Sequence, residues 1–200
     1  MLFDYTKEDL FAIAKKDPKL GVFIEHIGFI KRQAFDDFTK GFVYTIIGQQ
    51  ISAKAQNTVY KKLCDLLGEI TIDNILNAAL ASIRRCGISP RKVKYIFNYI
   101  NKVKDGTLDL KALESMSYKE LLATLSQLDG VGPWTVEMLM LFTLKRKDVL
   151  SFGDLGIKKG MCIVYNKKKI DKKTFTKIKN NLSPYGSIAS LYFWEIASCY

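Results

Sequence analysis

Leu128-Asp129-Gly130-Val131-Gly132-Pro133-Trp134-Thr135 is the stretch on which the reading of this chain turns. Two glycines separated by one apolar residue let the backbone reverse within a few residues and approach a partner without a Cβ in the way. Val131 is placed to pack inward, and Pro133 opens the next helix at the position where its missing N–H costs least. Ahead of it, Ser117-Tyr118-Lys119-Glu120 forms a capping box that starts a helix to about Gln127. Behind it, the apolar spacing carries a helix from Pro133 to about Leu144. The expected product is a helical hairpin over about 117–144 whose amides, on Gly130, Gly132 and the first turn after them, point outward together. Such a nest holds a phosphate. An ordinary helix–helix turn has the same local pattern, and the glycines alone leave both readings open.

Outward from the hairpin, helix signals recur and β-branched runs of period two are scarce, so the chain reads as all-helical. Phe3 to Lys16 is an amphipathic first helix ending near Pro18. Phe38, Phe42, Val43, Ile46 and Ile47 form a core stripe on a helix over Asp36 to Gln50. Ser52 caps a helix to about Leu67, with Gly68 as its stop. Asp73 to Ala81 is short. Ile83 to Val103 reads as two helices joined at Cys86-Gly87-Ile88, the second entered through Ser89-Pro90. Asp154, Asp171 and Ser183-Pro184 open the last three helices, to about Tyr165, Leu182 and Cys199.

Composition serves mainly to exclude. The chain has 200 residues, 48% of them hydrophobic and 12% aromatic, enough for a packed core and too apolar for disorder. The longest uncharged stretch, Asn180 to Trp194, is too short and polar to span a bilayer, and the N-terminus lacks the pattern of a secretion signal; no membrane association and a cytoplasmic or nuclear location are expected. Cys64, Cys86, Cys162 and Cys199 show no C-x-x-C spacing and His26 stands alone, so no zinc or iron–sulfur site and no histidine-activated nucleophile is encoded. The formal net charge is +11. Residues 1–40 carry seven basic and seven acidic side chains, and the densest basic stretch, Lys158 to Lys179, holds nine lysines against Asp171 alone. That cluster suits a phosphate-bearing partner as well as it suits plain solvation.

The hairpin, followed some twenty residues later by an aspartate in Asp148-Val149-Leu150-Ser151-Phe152-Gly153-Asp154-Leu155-Gly156-Ile157, resembles the helix-hairpin-helix DNA glycosylases. Within them the chain is most similar to the DNA-3-methyladenine glycosylase II branch. Ile46-Ile47-Gly48-Gln49-Gln50-Ile51-Ser52 resembles the branch's segment at the minor-groove wedge. Ser183-Pro184-Tyr185-Gly186-Ser187 through Tyr192-Phe193-Trp194 resembles its closing helix. The resemblance spans roughly residues 36–198. It implies one all-α domain of two helical lobes, 1–35 being an N-terminal helical extension, with no separate N-terminal α/β domain.

That resemblance implies a monofunctional base-excision-repair enzyme. It would flip an alkylated purine of the 3-methyladenine or 7-methylguanine type out of duplex DNA and hydrolyse its N-glycosidic bond. Asp154 becomes the catalytic carboxylate, stabilising the positive charge that builds on the sugar. Trp134 stands where bifunctional relatives carry the lysine that forms a Schiff base, so an abasic site is the expected product. Trp134, Trp194 and Met138 become the base pocket, an indole face suiting a cationic purine. Met138 departs from a family tyrosine, and Gly186 from an arginine. DNA contacts fall to Gly130, Val131, Gly132, Trp134, Thr135, Ser52, Lys158 and Gln50, the last at the wedge position, where bacterial relatives are apolar. No cofactor is required, although the carbonyls of Ser126, Leu128 and Val131 match the family's hairpin site for a monovalent cation, K⁺ or Na⁺. The partner is damaged double-stranded DNA and the expected state a monomer. Two alternatives stay open: a non-catalytic DNA-binding or damage-sensing module, and a related glycosylase for deaminated or oxidised bases.

Overall fold

The computed structural model describes residues 2–199. Among them the regular structure is helical throughout, as the sequence predicts, apart from one isolated antiparallel bridge between Leu2 and Gln33. The helices are α1 (Lys7–Lys16), α2 (Pro18–Ile27), α3 (Phe38–Gly48), α4 (Ala53–Leu67), α5 (Ile72–Asn77), α6 (Leu80–Arg85), α7 (Pro90–Lys104), α8 (Tyr118–Leu125), α9 (Pro133–Phe142), α10 (Leu155–Val164), α11 (Lys172–Leu182) and α12 (Gly186–Cys199), with a 3-10 turn at Ala112–Glu114. No helix among the described residues is long and apolar enough to cross a membrane.

Side-chain caps set most of these boundaries. Ser52, Ser89, Ser117, Asp154 and Asp171 each accept an N–H from the first turn of the helix they precede. One expectation shifts. Residues 3–5 are not helical, because Thr6 caps α1 in a capping box with Asp9. Pro18 ends α1 and opens α2, a helix whose range the sequence reading did not delimit, with Asp17 as its N-cap.

Two compact units divide the chain. Phe35–Leu139 forms one, and the segments flanking it in sequence form the other. In the first, α3 buries its whole apolar stripe; Phe42 stacks on Tyr99 of α7 at 4.1 Å, and the Tyr99 hydroxyl pairs with Thr39 Oγ1 at 2.9 Å. In the second, α10 and α12 pack so closely that a Cβ on Gly160 would stand 2.1 Å from the Phe193 carbonyl oxygen. The N-terminal segment belongs to this unit. The Tyr192 hydroxyl donates to the Gly28 carbonyl and the Tyr165 hydroxyl to Asp17, both at 2.7 Å.

Candidate active site and DNA-binding hairpin

The hairpin is built in the Phe35–Leu139 unit. α8 and α9 are joined by Ser126 to Gly132, with Leu128 and Val131 buried and the Val131 N–H donating to the Leu128 carbonyl at 3.2 Å. The two glycines have different reasons to be there. Gly130 sits at φ +75°, and a Cβ on it would meet the Tyr95 ring at 2.1 Å, so the fold itself demands glycine. At Gly132 a Cβ would find nothing within 4 Å. Its lack of a side chain serves no packing within the protein, which is the condition for a backbone approached from outside.

A side chain that sequence reasoning passed over ties the preceding loop to this turn. Gln49 Nε2 donates to the Gly130 carbonyl at 2.8 Å and to Thr135 Oγ1 at 3.0 Å. Lys92 reinforces it from α7, donating to the carbonyls of Ile47 and Gln49 at 2.7 and 2.8 Å. Burial lowers the Lys92 ammonium's pKa, with Arg91's like charge adding to the shift. Gln50, in the wedge position, is exposed at φ +58°, a left-handed conformation that projects it from the α3–α4 loop. Ser52, also exposed, caps α4. Thr135 is 2% exposed and its hydroxyl accepts the Gln49 bond. On α9, Trp134 is half-buried, whereas Met138, one turn on, is buried at 4% exposure. The hairpin's possible cation ligands are main-chain oxygens of Ser126, Leu128 and Val131, hard donors that fit an alkali cation. No cluster of three or more His, Cys, Asp or Glu side chains able to hold a metal occurs among the described residues.

The acid lies in the other unit, at the N-cap of α10. Asp154 is 8% exposed, and its Oδ1 accepts two bonds of 2.9 Å, from the Ile157 amide and from the Trp194 indole Nε1. The first is local and follows from the capping rule. The second comes from α12 and turns Trp194 from a pocket aromatic into a donor that orients the carboxylate. Gly156 makes room for it, since a Cβ there would lie 2.8 Å from Trp194 Cδ1 and 3.3 Å from Asp154 Oδ1. The Trp194 ring stacks on Phe142 with centroids 5.7 Å apart.

The loop carrying Asp154 is clamped to the start of α12. Asp148 Oδ2 accepts from the Ser183 hydroxyl at 2.6 Å and Oδ1 from the Gly186 amide at 3.1 Å. The Ser187 and Ser190 hydroxyls donate to the carbonyls of Arg146 and Val149 at 2.5 and 2.9 Å. Here Gly186 has a reason: its Cβ would stand 2.7 Å from Asp148 Oδ1. Lys158, on the turn after Asp154, holds its amine 5.0 Å from the Phe152 ring centroid, a cation–π contact.

A buried carboxylate oriented at a helix start in one unit, and a glycine hairpin with an open backbone in the other, invite comparison with known proteins. The HhH-GPD superfamily of base excision DNA repair proteins matches residues 43–184. The chain belongs to this superfamily. DNA-3-methyladenine glycosylase 1 of Schizosaccharomyces pombe is 28% identical over 170 residues, 82% of this chain and 73% of that protein. A crystal structure of a DNA-3-methyladenine glycosidase from Bacillus halodurans aligns at 30% identity and a TM-score of 0.77, covering 98% of this chain and 92% of that one. The structure of a 3-methyladenine DNA glycosylase from S. pombe in complex with abasic DNA shares the fold at a TM-score of 0.85, with 24% identity, 94% of this chain and 96% of that one. HhH-GPD membership accounts for both the all-helical architecture and the hairpin.

Proposed function

We propose that this HhH-GPD protein is a monofunctional glycosylase that releases alkylated purines, of the 3-methyladenine and 7-methylguanine type, from duplex DNA after flipping the base. The observation that carries this reading is Asp154, fixed by the Ile157 amide and the Trp194 indole at 2.9 Å each. Breaking the C1′–N bond builds positive charge on the deoxyribose, and a carboxylate held in one orientation stabilises that charge without reorganising. Water supplies the oxygen that bonds to C1′ and its proton passes to Asp154 or solvent. A purine alkylated at N3 or N7 is already cationic and leaves as a neutral base, so no general acid is needed. This agrees with a chain whose one histidine, His26, is exposed on α2.

The remaining roles follow the same chemistry. Main-chain amides around Gly130 to Thr135 grip a phosphate, Gln50 fills the gap left by the flipped nucleotide, and Ser52 and Lys158 add backbone contacts. Trp134 offers an aromatic face to the base, and Met138 and Trp194 are the further pocket residues that the resemblance implies, Trp194 with its indole N–H held on Asp154. Trp134 replaces the amine that a lyase step requires, so the product is an abasic site. No cofactor takes part in the chemistry. The carbonyls of Ser126, Leu128 and Val131 would hold a K⁺ or Na⁺ ion that adds positive charge beside the phosphate. The protein acts as a monomer where DNA resides, the nucleoid-bearing cytoplasm or, in a eukaryote, the nucleus.

Release assays on duplexes carrying 3-methyladenine, 7-methylguanine, hypoxanthine or 8-oxoguanine test the reading. Wild type is expected to release the alkylated bases, and Asp154→Asn to release none while keeping its affinity for DNA. Equal excision by Asp154→Asn refutes the mechanism. Absence of excision on every substrate leaves a damage-binding module, and a borohydride-stable adduct contradicts a monofunctional enzyme.

A further inference from the structure

The Arg32 guanidinium occupies an aromatic wall that is in contact with the candidate catalytic acid. Its Cζ lies 5.9 Å from the Trp194 ring centroid and 6.0 Å from that of Phe142. The two rings are stacked with only 21° between their planes, and the indole N–H of Trp194 is bonded to Asp154. Arg32 precedes the matched segment 43–184, in a stretch that shows no motif. Its main chain is nevertheless pinned. The Phe3 amide donates to the Arg32 carbonyl at 2.8 Å, Leu2 bridges Gln33, and the Tyr5 hydroxyl both donates to the Ile30 carbonyl at 2.6 Å and accepts from the Ile30 amide at 2.9 Å.

We propose that Arg32 is a specificity-determining residue that sets the balance between positively charged and neutral bases; this rests on the glycosylase reading above. A guanidinium is charged at every pH the protein meets. In cation–π range of both rings, it takes the place where a cationic purine would gain from them, and it repels such a base by like charge. To a neutral purine it presents N–H donors suited to ring nitrogen and carbonyl acceptors, such as N7 and O6 of hypoxanthine. Arg32 therefore draws the enzyme toward neutral modified purines at the expense of cationic ones.

The test is the ratio of single-turnover release rates for 7-methylguanine, a cation, and hypoxanthine, a neutral base, placed opposite the same partner. Arg32→Met, which keeps the length and removes the charge, is expected to raise the ratio about fivefold or more, the scale of one partly screened charge pair. Arg32→Lys keeps the charge but loses the planar guanidinium, so its ratio is expected to fall between wild type and Arg32→Met. Arg32→Gln provides a second neutral variant should the Met form fold poorly, as read from its melting temperature. A purely structural Arg32 lowers both rates in parallel and leaves the ratio unchanged, which overturns the inference. So does a wild type that releases 7-methylguanine alone, with neither neutral variant faster on it. A wild type that releases no base at all overturns the glycosylase reading itself, and this inference with it.

Discussion

Trp194 donates its indole N–H to the same oxygen of Asp154, Oδ1, that caps α10 through the Ile157 amide, and the two bonds are equal at 2.9 Å. One donor is three residues from the acid in sequence and the other forty. Together they fix the carboxylate in both the plane of the cap and the direction of α12. The two donors reach Oδ1 from different helices, and both oppose rotation of the carboxylate about Cβ–Cγ.

Trp194→Phe keeps the ring on Phe142 and deletes the donor. A hydrogen bond to a charged group contributes about 1.5–3 kcal/mol, so the single-turnover excision constant is expected to fall roughly ten- to hundredfold. Affinity for DNA with an abasic-site analogue should stay within about threefold, because phosphate contacts dominate it. An unchanged rate would show that the Trp194 donor is not needed to orient Asp154.

Gly156→Ala attacks the same contact from the other side. The new methyl stands 2.8 Å from Trp194 Cδ1, so the indole must move away from Asp154. Overpacking of this kind costs about 1–3 kcal/mol of stability. The expected signature is a lowered melting temperature together with an excision rate like that of Trp194→Phe.

The two hairpin glycines should separate by assay. Gly130→Ala forces a side chain into a φ of +75° and against Tyr95, and is expected to destabilise by more than about 2 kcal/mol in chemical denaturation. Gly132→Ala meets no protein atom within 4 Å, so it should fold as wild type does and lose affinity for duplex DNA. Full affinity in Gly132→Ala would remove the hairpin from the interface.

The lysines between 158 and 179 can be assigned by salt dependence. Lys167 and Lys172 are both exposed, one after α10 and one opening α11. If they neutralise phosphates, Lys167→Glu and Lys172→Glu will each flatten the plot of log affinity against log salt by about one unit of slope. Parallel plots would make the cluster a solvated face.

Stability should decline in alkali. Burial raises the phenols of Tyr99, Tyr165 and Tyr192 above the usual value near 10, and the Asp17 carboxylate pushes Tyr165 further the same way. Their folded forms hold the proton more tightly than the unfolded chain does. The stabilisation is thus complete below pH 10 and is lost progressively above it. Tyr165→Phe should lower the melting temperature at pH 8 and show a shallower decline between pH 10 and 11.

Much of this architecture is legible in the chain itself. Ser52, Ser117, Asp154 and Asp171 announce their helices because a cap is a contract between residues three apart, and the glycine hairpin announces its turn for the same reason. The same locality explains Pro18, where one proline marks both the end of α1 and the start of α2. The segment before α3 gave no warning of Arg32, since stacking on Phe142 and Trp194 depends on side chains more than a hundred residues away.

The sequence by itself determined an all-helical chain, a glycine turn between two capped helices and an acid at a helix start. Each is a matter of local spacing or residue inventory. Only the tertiary structure decided that Gln49 braces Gly130 and Thr135, that Gly130 is glycine for Tyr95, that Gly186 makes way for Asp148, and that Trp194 grips Asp154. Those partners lie 35 to 86 residues apart, and no periodic signal connects them. Packing of the helices brings them into contact, and hydrogen-bond directionality then selects which polar atoms meet.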